Sequence, residues 1–400
     1  MSAETPAPAS GTVHWIGTGL STGASGLGHV CDRAERVLLW DRTAERAAER
    51  LAALGLTGRA EVRAYEPAAL AAESAPGDVL VSMLPAAEHP ALLRIALAAG
   101  AHFACTSYTS PELAELAGRA GRESRTVVLT EAGLDPGIDH LYAHDLVARA
   151  RAALGDAPAT AVFTSYCGGL PAVPNAFRYR FSWAPYGVLA ALGSPARYVD
   201  EGAERTAAHP WEAVRPLVLG GEAFEVYPNR DSLPFLAQYE FPEHWRAETF
   251  VRGTMRSEGW SAAWKPVFET VAAGDEQAVR ALAAELAARY PATAEDRDRV
   301  VLSVALELRT DDGRRWSGSH LLDLTGGAAE SAMARCVCLP LAHGVARILD
   351  GALAPGLRRA ADPGAETGRW LAFLAAQGLA TRTEEHVDVH PTDPATGVTA

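Results

Sequence analysis

Between Val13 and about Leu129, short apolar runs alternate with Ala-, Leu- and Arg-rich stretches whose apolar positions recur at helical spacing. That is the pattern of a parallel sheet covered by helices. It predicts strands at Val13–Ile16, Val37–Trp40, Glu61–Ala64, Val79–Ser82, His102–Cys105 and Thr126–Leu129. Ala44–Leu54 and Pro90–Ala99 read as helices, ended by Gly55 and Gly100, where a left-handed cap is easily adopted. Strands and helices in this order describe a Rossmann-type, doubly wound α/β domain.

The texture changes after Gly133. Gly, Pro and aromatic residues crowd Tyr166 to Trp183, and strand and helix no longer alternate. Val300–Arg309 and Trp316–Leu324, separated by Thr310-Asp311-Asp312-Gly313, predict an antiparallel hairpin. The second domain is therefore expected to be α+β with a mainly antiparallel sheet. The expected boundaries are 1–132 for the dinucleotide domain, 133–327 for the substrate domain and 328–382 for C-terminal helices returning to the first domain. The polar stretch from Thr383 to Ala400 is expected to be a mobile tail.

Composition narrows the function. A net charge of −13 argues against a nucleic-acid partner, since such binding draws on clustered Lys and Arg. Lys265 is the only lysine, so no other residue could supply a Schiff-base amine. Cys31, Cys105, Cys167, Cys336 and Cys338 match no zinc spacing and no disulfide framework. His140 and His144 stand four apart, as do His386 and His390, but without a convincing acidic third ligand, so capping or packing is the better reading and no metal is expected. Met1 to Gly11 has neither a basic start nor an apolar stretch, and no later apolar run approaches the ~20 residues of a membrane helix. The expectation is a cytoplasmic protein without a membrane partner.

Two segments point to a nucleotide. The first strand runs into Gly17-Thr18-Gly19-Leu20, a turn that lets backbone approach a pyrophosphate at a helix N-terminus. The third fingerprint glycine would fall at Thr22, although Gly23 follows. The second strand ends in Asp41-Arg42-Thr43, where an acidic residue would bond a ribose and an arginine would clasp a 2′-phosphate, so NADP and NAD both stay open. Asp41 as a simple helix cap is the plainer alternative.

Six further segments are more specific: Thr106-Ser107-Tyr108, Gly133-Leu134-Asp135-Pro136-Gly137-Ile138-Asp139-His140, Ser165 to Pro171, Phe181-Ser182-Trp183, Tyr227 to Ser232, and Arg252-Gly253-Thr254. In this order and spacing, the chain from Val13 to about Leu379 resembles the saccharopine reductase family. The resemblance implies hydride transfer between a nicotinamide and an imine joining two amino-acid-like halves. It implies Tyr108, Asp135 and Cys167 near the reacting imine, with Ser107, Trp183, Arg230, Arg252, Gly253 and Thr254 around the substrate. Ser82, Leu84, Pro85, Thr106, Gly133 and Leu134 would join Gly17 to Leu20 and Asp41 to Thr43 against the cofactor.

Each assignment has a physical reason and a plainer alternative. A guanidinium binds a carboxylate through two parallel charge-assisted bonds, which suits Arg230 and Arg252 to a polycarboxylate, though ordinary ion pairs use arginine equally well. Asp135 could steady a protonated imine and shuttle its proton, or simply belong to an Asp-Pro-Gly turn. Cys167 could donate to the same site or be a small buried hydrophobe; Tyr108 could donate from a strand end or be a packed aromatic. The expected partners are small amino-acid-like molecules, with a homodimer left open. A carboxylated polyamine dehydrogenase, a secondary-metabolite imine reductase and a non-catalytic nucleotide-binding protein are the alternatives carried forward.

Overall fold

The structure, a computed structural model, describes residues 5–291, 293, 296–360 and 364–388. It divides into two compact units. The first comprises Met1–Leu141, Arg297–Arg299 and Thr325–Leu379, and the second Tyr142–Asp296, Val300–Leu324 and Ala380–Ala400.

The first unit is built on a seven-stranded sheet. Six strands follow in chain order: β1 (Thr12–Ile16), β2 (Arg36–Asp41), β3 (Glu61–Ala64), β4 (Val79–Ser82), β5 (His102–Cys105) and β6 (Val127–Thr130). The seventh, Gly356–Arg359, comes from far along the chain and pairs with β6, giving the spatial order Gly356–Arg359, β6, β5, β4, β1, β2, β3. Every pairing is parallel. Strands β4, β5 and β6 are buried at every position, because helices cover both faces, and their sequences are accordingly apolar runs without alternation. The chain order reverses between β1 and β4, the switch point outside which such sheets bind ligands.

Helix α1 (Ala24–Arg33) follows β1, and helix α2 (Ala44–Ala53) follows β2. Gly100 takes the left-handed cap expected of it, with φ 70° and ψ 25°. The sequence pattern missed the strand Gly356–Arg359: it is short and half-buried, and the parallel partner that makes it a strand lies more than 200 positions away.

The C-terminal helix Ala332–Leu349 is long and apolar enough to cross a membrane by length and composition, with a mean hydropathy of 1.3, and 72% of it is buried in the fold as a core helix. Its N-terminus is held by Asp298, whose carboxylate accepts from the backbone N–H groups of Ala332 and Met333 at 2.8 Å each, and by Ser331, which accepts from Ala334.

The second unit is α+β. Strand Ala159–Pro171 pairs in parallel with Trp245–Ser257, which pairs antiparallel with Glu222–Pro228 on its other side. Asp298–Thr310 and Arg315–Thr325 form the expected hairpin about residues 311–314. The expectation of a mobile tail from Thr383 is corrected over Thr381–Asp388, which forms an edge strand antiparallel to Arg315–Thr325. Its charged side chains face solvent on an edge, so no apolar alternation marked it as a strand. His390 and the rest of that stretch lie outside the described residues.

The aromatic crowding near residue 177 has a structural cause. Phe177 stacks on Trp264 at 4.9 Å and on Tyr290 at 4.4 Å, and the Trp264 indole donates to the Phe177 carbonyl at 2.9 Å. These rings make a core of their own beside the sheet.

Candidate active site

The loops at the C-terminal ends of the first unit's strands hold most of the residues singled out from the sequence. Gly17 adopts φ 99°, and a Cβ there would lie 3.0 Å from Leu84 and 3.1 Å from the Met83 backbone, so the turns after β1 and β4 approach closely only with glycine. A Cβ on Gly19 would meet nothing within 4 Å, and Leu20 is exposed, which leaves open surface over the turn for a dinucleotide backbone.

The helix terminus differs from expectation. Gly23 precedes α1, and the Glu330 carboxylate accepts from both the backbone N–H and the hydroxyl of Ser25, at 3.0 and 2.9 Å. The positive end of α1 is thus already engaged by an anion.

Asp41 ends β2, and it does not cap α2. Thr43 does that, accepting from Arg46 N. The Asp41 carboxylate accepts from the Thr18 hydroxyl, from Arg42 N at 2.6 Å and from Arg46 Nε at 3.4 Å. Burial raises its pKa, but the bonds from Thr18 and Arg42 and the charge of Arg46 more than offset this, leaving it below the usual carboxylate value.

Ser82 and Ser107 stand at the ends of neighbouring strands and are joined through a residue the sequence reading missed. His89 Nδ1 lies 2.9 Å from Ser82 Oγ, and its Nε2 lies 2.8 Å from Ser107 Oγ. Burial pushes this imidazole down to about 4, so it is neutral at physiological pH, accepting at one nitrogen and donating at the other.

Tyr108 and Asp135 are brought together: the Tyr108 hydroxyl donates to Asp135 Oδ1 at 2.6 Å. Asp135 belongs to the Asp-Pro-Gly turn and also receives the Tyr108 hydroxyl. Their loops are clamped by Glu131, also missed, which takes φ 53°. Its Oε1 accepts from the Thr109 backbone and hydroxyl at 3.0 and 2.7 Å, and its Oε2 lies 3.1 Å from His140 Nε2 and 3.2 Å from Arg359 Nε. Burial raises the Glu131 pKa, yet His140, Arg359 and Thr109 together drive it far below the ordinary range. A polar residue between an apolar strand and the Gly133 loop was the available signal. Gly137 completes the turn: its N–H donates to Asp139 at 2.7 Å, and a Cβ there would strike the Gly133 carbonyl. Gly133 in turn lies against Thr106, and Leu134 is buried.

His140 Nε2 thus faces Glu131, while the His144 ring packs edge-on to Tyr239 at 5.6 Å. Among the described residues no group of three His, Cys, Asp or Glu is placed to hold a metal.

The remaining candidates belong to the second unit. Cys167 is half-buried on strand Ala159–Pro171 and stands in register with Thr254, while Gly253 is opposite Tyr166. A side chain at Gly253 would collide with the Tyr227 carbonyl at 2.4 Å. Arg230 is exposed, in a left-handed conformation at φ 59°. Trp183 is 37% exposed and covers Gly187.

Arg252, by contrast with Arg230, is buried. It is only 3% exposed, with its guanidinium carbon 3.9 Å above the Phe235 ring. Arg256, four residues further along the same strand, is likewise buried, within 5.0 to 5.6 Å of the rings of Tyr179, Tyr227 and Trp260.

Known proteins match this arrangement. Residues 13–128 match the saccharopine dehydrogenase NADP binding domain, and residues 133–378 match the saccharopine dehydrogenase C-terminal domain. A saccharopine dehydrogenase [NADP(+), L-glutamate-forming] of Pyricularia oryzae is 35% identical over 272 residues, covering 66% of this chain and 59% of that one. The chain thus spans little more than half the length of this curated relative. Apo saccharopine dehydrogenase (L-Glu forming) from Saccharomyces cerevisiae superposes with a TM-score of 0.78 at 25% identity, covering 94% of this chain and 99% of that one. The homospermidine synthase of Legionella pneumophila, solved with NAD, shares the fold alone: the TM-score is 0.62 at 9% identity, over 97% and 94% of the two chains.

Proposed function

The chain belongs to the saccharopine dehydrogenase family, and from that premise we propose that it is a nicotinamide-dependent oxidoreductase that forms or cleaves the secondary amine of saccharopine. In the forming direction, 2-aminoadipate semialdehyde and glutamate condense to an imine, which is reduced. The observation that carries this reading is the Tyr108–Asp135 hydrogen bond, built from two loops at the ligand-binding edge of a dinucleotide-type sheet.

A bound nicotinamide supplies or accepts the hydride. The protein's part is to place charge and protons. The Asp135 carboxylate stabilises a protonated, hence electrophilic, C=N nitrogen, and Tyr108 holds that carboxylate in place and shares its proton. In the cleaving direction the amine loses a hydride from carbon and a proton from nitrogen, the same pair receives the proton, and water then hydrolyses the resulting imine to the amino acid and the semialdehyde. The neutral His89 fixes the hydroxyls of Ser82 and Ser107 at the strand ends. Exposed Arg230 is the natural partner for a substrate carboxylate; the buried Arg252 shapes the strand that carries Gly253 and Thr254.

The experiment is a spectrophotometric assay of purified protein with saccharopine and each oxidised nucleotide, and with glutamate, the semialdehyde and each reduced nucleotide. Turnover in either direction supports the reading; no change with all four combinations rejects it. An imine reductase acting on a partner with fewer carboxylates is the competing reading. Arg230→Ala separates the two, since it should depress saccharopine turnover far more than that of a mono-carboxylate analogue.

A further inference from the structure

We propose that Asp41 makes this chain select NAD(H) over NADP(H), unlike the relatives whose names carry NADP(+). The inference rests on the nucleotide-dependent reading above and concerns the adenosine end of the cofactor. Asp41 is the last residue of β2, the position from which an acidic side chain accepts hydrogen bonds from the adenosine ribose.

Three donors fix the carboxylate there: the Thr18 hydroxyl from the glycine turn, the Arg42 backbone N–H and Arg46 Nε. With 8% exposure it has no freedom to swing aside. Its depressed pKa keeps it ionised at neutral pH. A phosphate monoester carries roughly two negative charges at neutral pH, so a 2′-phosphate would be placed against a fixed like charge. A ribose hydroxyl, in contrast, is a donor, and a carboxylate has about four lone-pair sites, of which three are taken here. Arg46, the longest of the three bonds, is the one a hydroxyl would displace. The cations nearby do not reverse the argument. Arg46 is half exposed and already paired with Asp41, and Arg42 contributes its backbone N–H to the same carboxylate while its side chain lies in solvent, where charge is screened.

The test is equilibrium binding of NADH and of NADPH to the full chain, followed by tryptophan fluorescence or calorimetry with no amino-acid substrate present. NADH is expected to bind tighter by about tenfold or more. Asp41→Asn keeps the shape and most acceptors but removes the charge, and Asp41→Ser removes the carboxylate. Both should shift the ratio of dissociation constants toward NADPH by about tenfold.

Equal or tighter NADPH binding by the unaltered chain overturns the inference, as does a ratio that neither variant moves. The outcomes separate it from the reaction proposed above. NADH selectivity without saccharopine turnover leaves Asp41's role intact and sinks the reaction, whereas saccharopine turnover with NADPH preference does the reverse. Failure to bind either nucleotide overturns both.

Discussion

The Tyr108 hydroxyl and Asp135 Oδ1, 2.6 Å apart, join the loops that follow two neighbouring parallel strands. The bond fixes two side chains at once. Asp135→Asn and Tyr108→Phe should each lower kcat by about 10²-fold or more while leaving nucleotide affinity within about threefold. Because the two act together, the double variant should be little worse than the poorer single one. Single variants with undiminished kcat would remove the pair from the chemistry.

His89 gives a signed pH prediction. Its folded-state pKa of about 4 lies below the ordinary value of 6.5, so the unfolded chain binds more protons in between, and stability falls as the pH drops through that window. Between near-neutral pH and about pH 5 the loss from this residue should be about 2 kcal/mol. His343, also pushed down to about 4 by burial, adds to it. Urea unfolding at the two pH values should show a smaller loss for His89→Gln than for the unaltered protein; an unchanged difference would show His89 charging freely in the fold.

Glu131 acts in the same sense, in a more acidic window. Its carboxyl is depressed, so its contribution is present above the ordinary carboxylate pKa and is lost as acid protonates it in the fold. Glu131→Gln keeps an acceptor for Thr109 but leaves the Arg359 guanidinium beside a neutral amide. Removing one partner of a buried ion pair costs about 3–5 kcal/mol. A melting temperature within experimental error of the parent would show the cluster to be dispensable.

Two glycines on α1, two residues apart, should respond oppositely to alanine. A Cβ at Gly26 would lie 2.5 Å from Cys338 Sγ and 2.6 Å from its backbone, so Gly26→Ala should cost about 1–3 kcal/mol by forcing α1 off helix Ala332–Leu349. At Gly28 the nearest atom is 3.5 Å away, an ordinary contact, so Gly28→Ala should gain up to about 1 kcal/mol of helix propensity. Thermal melts of the two variants moving in the same direction would contradict this packing.

Arg230 and Arg252 should also part company. Arg252→Ala empties a buried site above Phe235 and should lower the melting temperature, whereas exposed Arg230→Ala should raise KM with stability within about 0.5 kcal/mol of the parent. The reverse pattern would assign the carboxylate to Arg252.

Five of the first six strands were legible as short, largely apolar runs bounded by turn residues, since buried parallel strands need no alternation, whereas β3, Glu61–Ala64, is half charged and partly exposed and was placed by its position in the strand–helix alternation. Strand Gly356–Arg359 and edge strand Thr381–Asp388 were not legible, since what makes each a strand is a distant partner rather than a local pattern. In the site, glycine turns and an acidic strand end announced themselves at Gly17 and Asp41. His89 and Glu131 did not, because their importance comes from what they bridge, Ser82 to Ser107 and Thr109 to Arg359, and such links are invisible until the strands are aligned. The burial of Arg252 was not legible either, because nothing in its own segment reveals the Phe235 ring beneath it.

The seventh strand and the helix from Ala332 make the nucleotide unit discontinuous along the chain. A ribosome emits the N-terminal six strands long before residues 332–379 exist, at roughly 5–20 residues per second. For that interval the groove that α1 offers to Cys338 and the open edge of β6 are bare apolar and hydrogen-bonding surface. The newborn domain therefore waits on its own far end, and truncations that spare Asp41, His89, Tyr108 and Asp135 but stop short of Ala332 should yield protein dependent on chaperones for solubility.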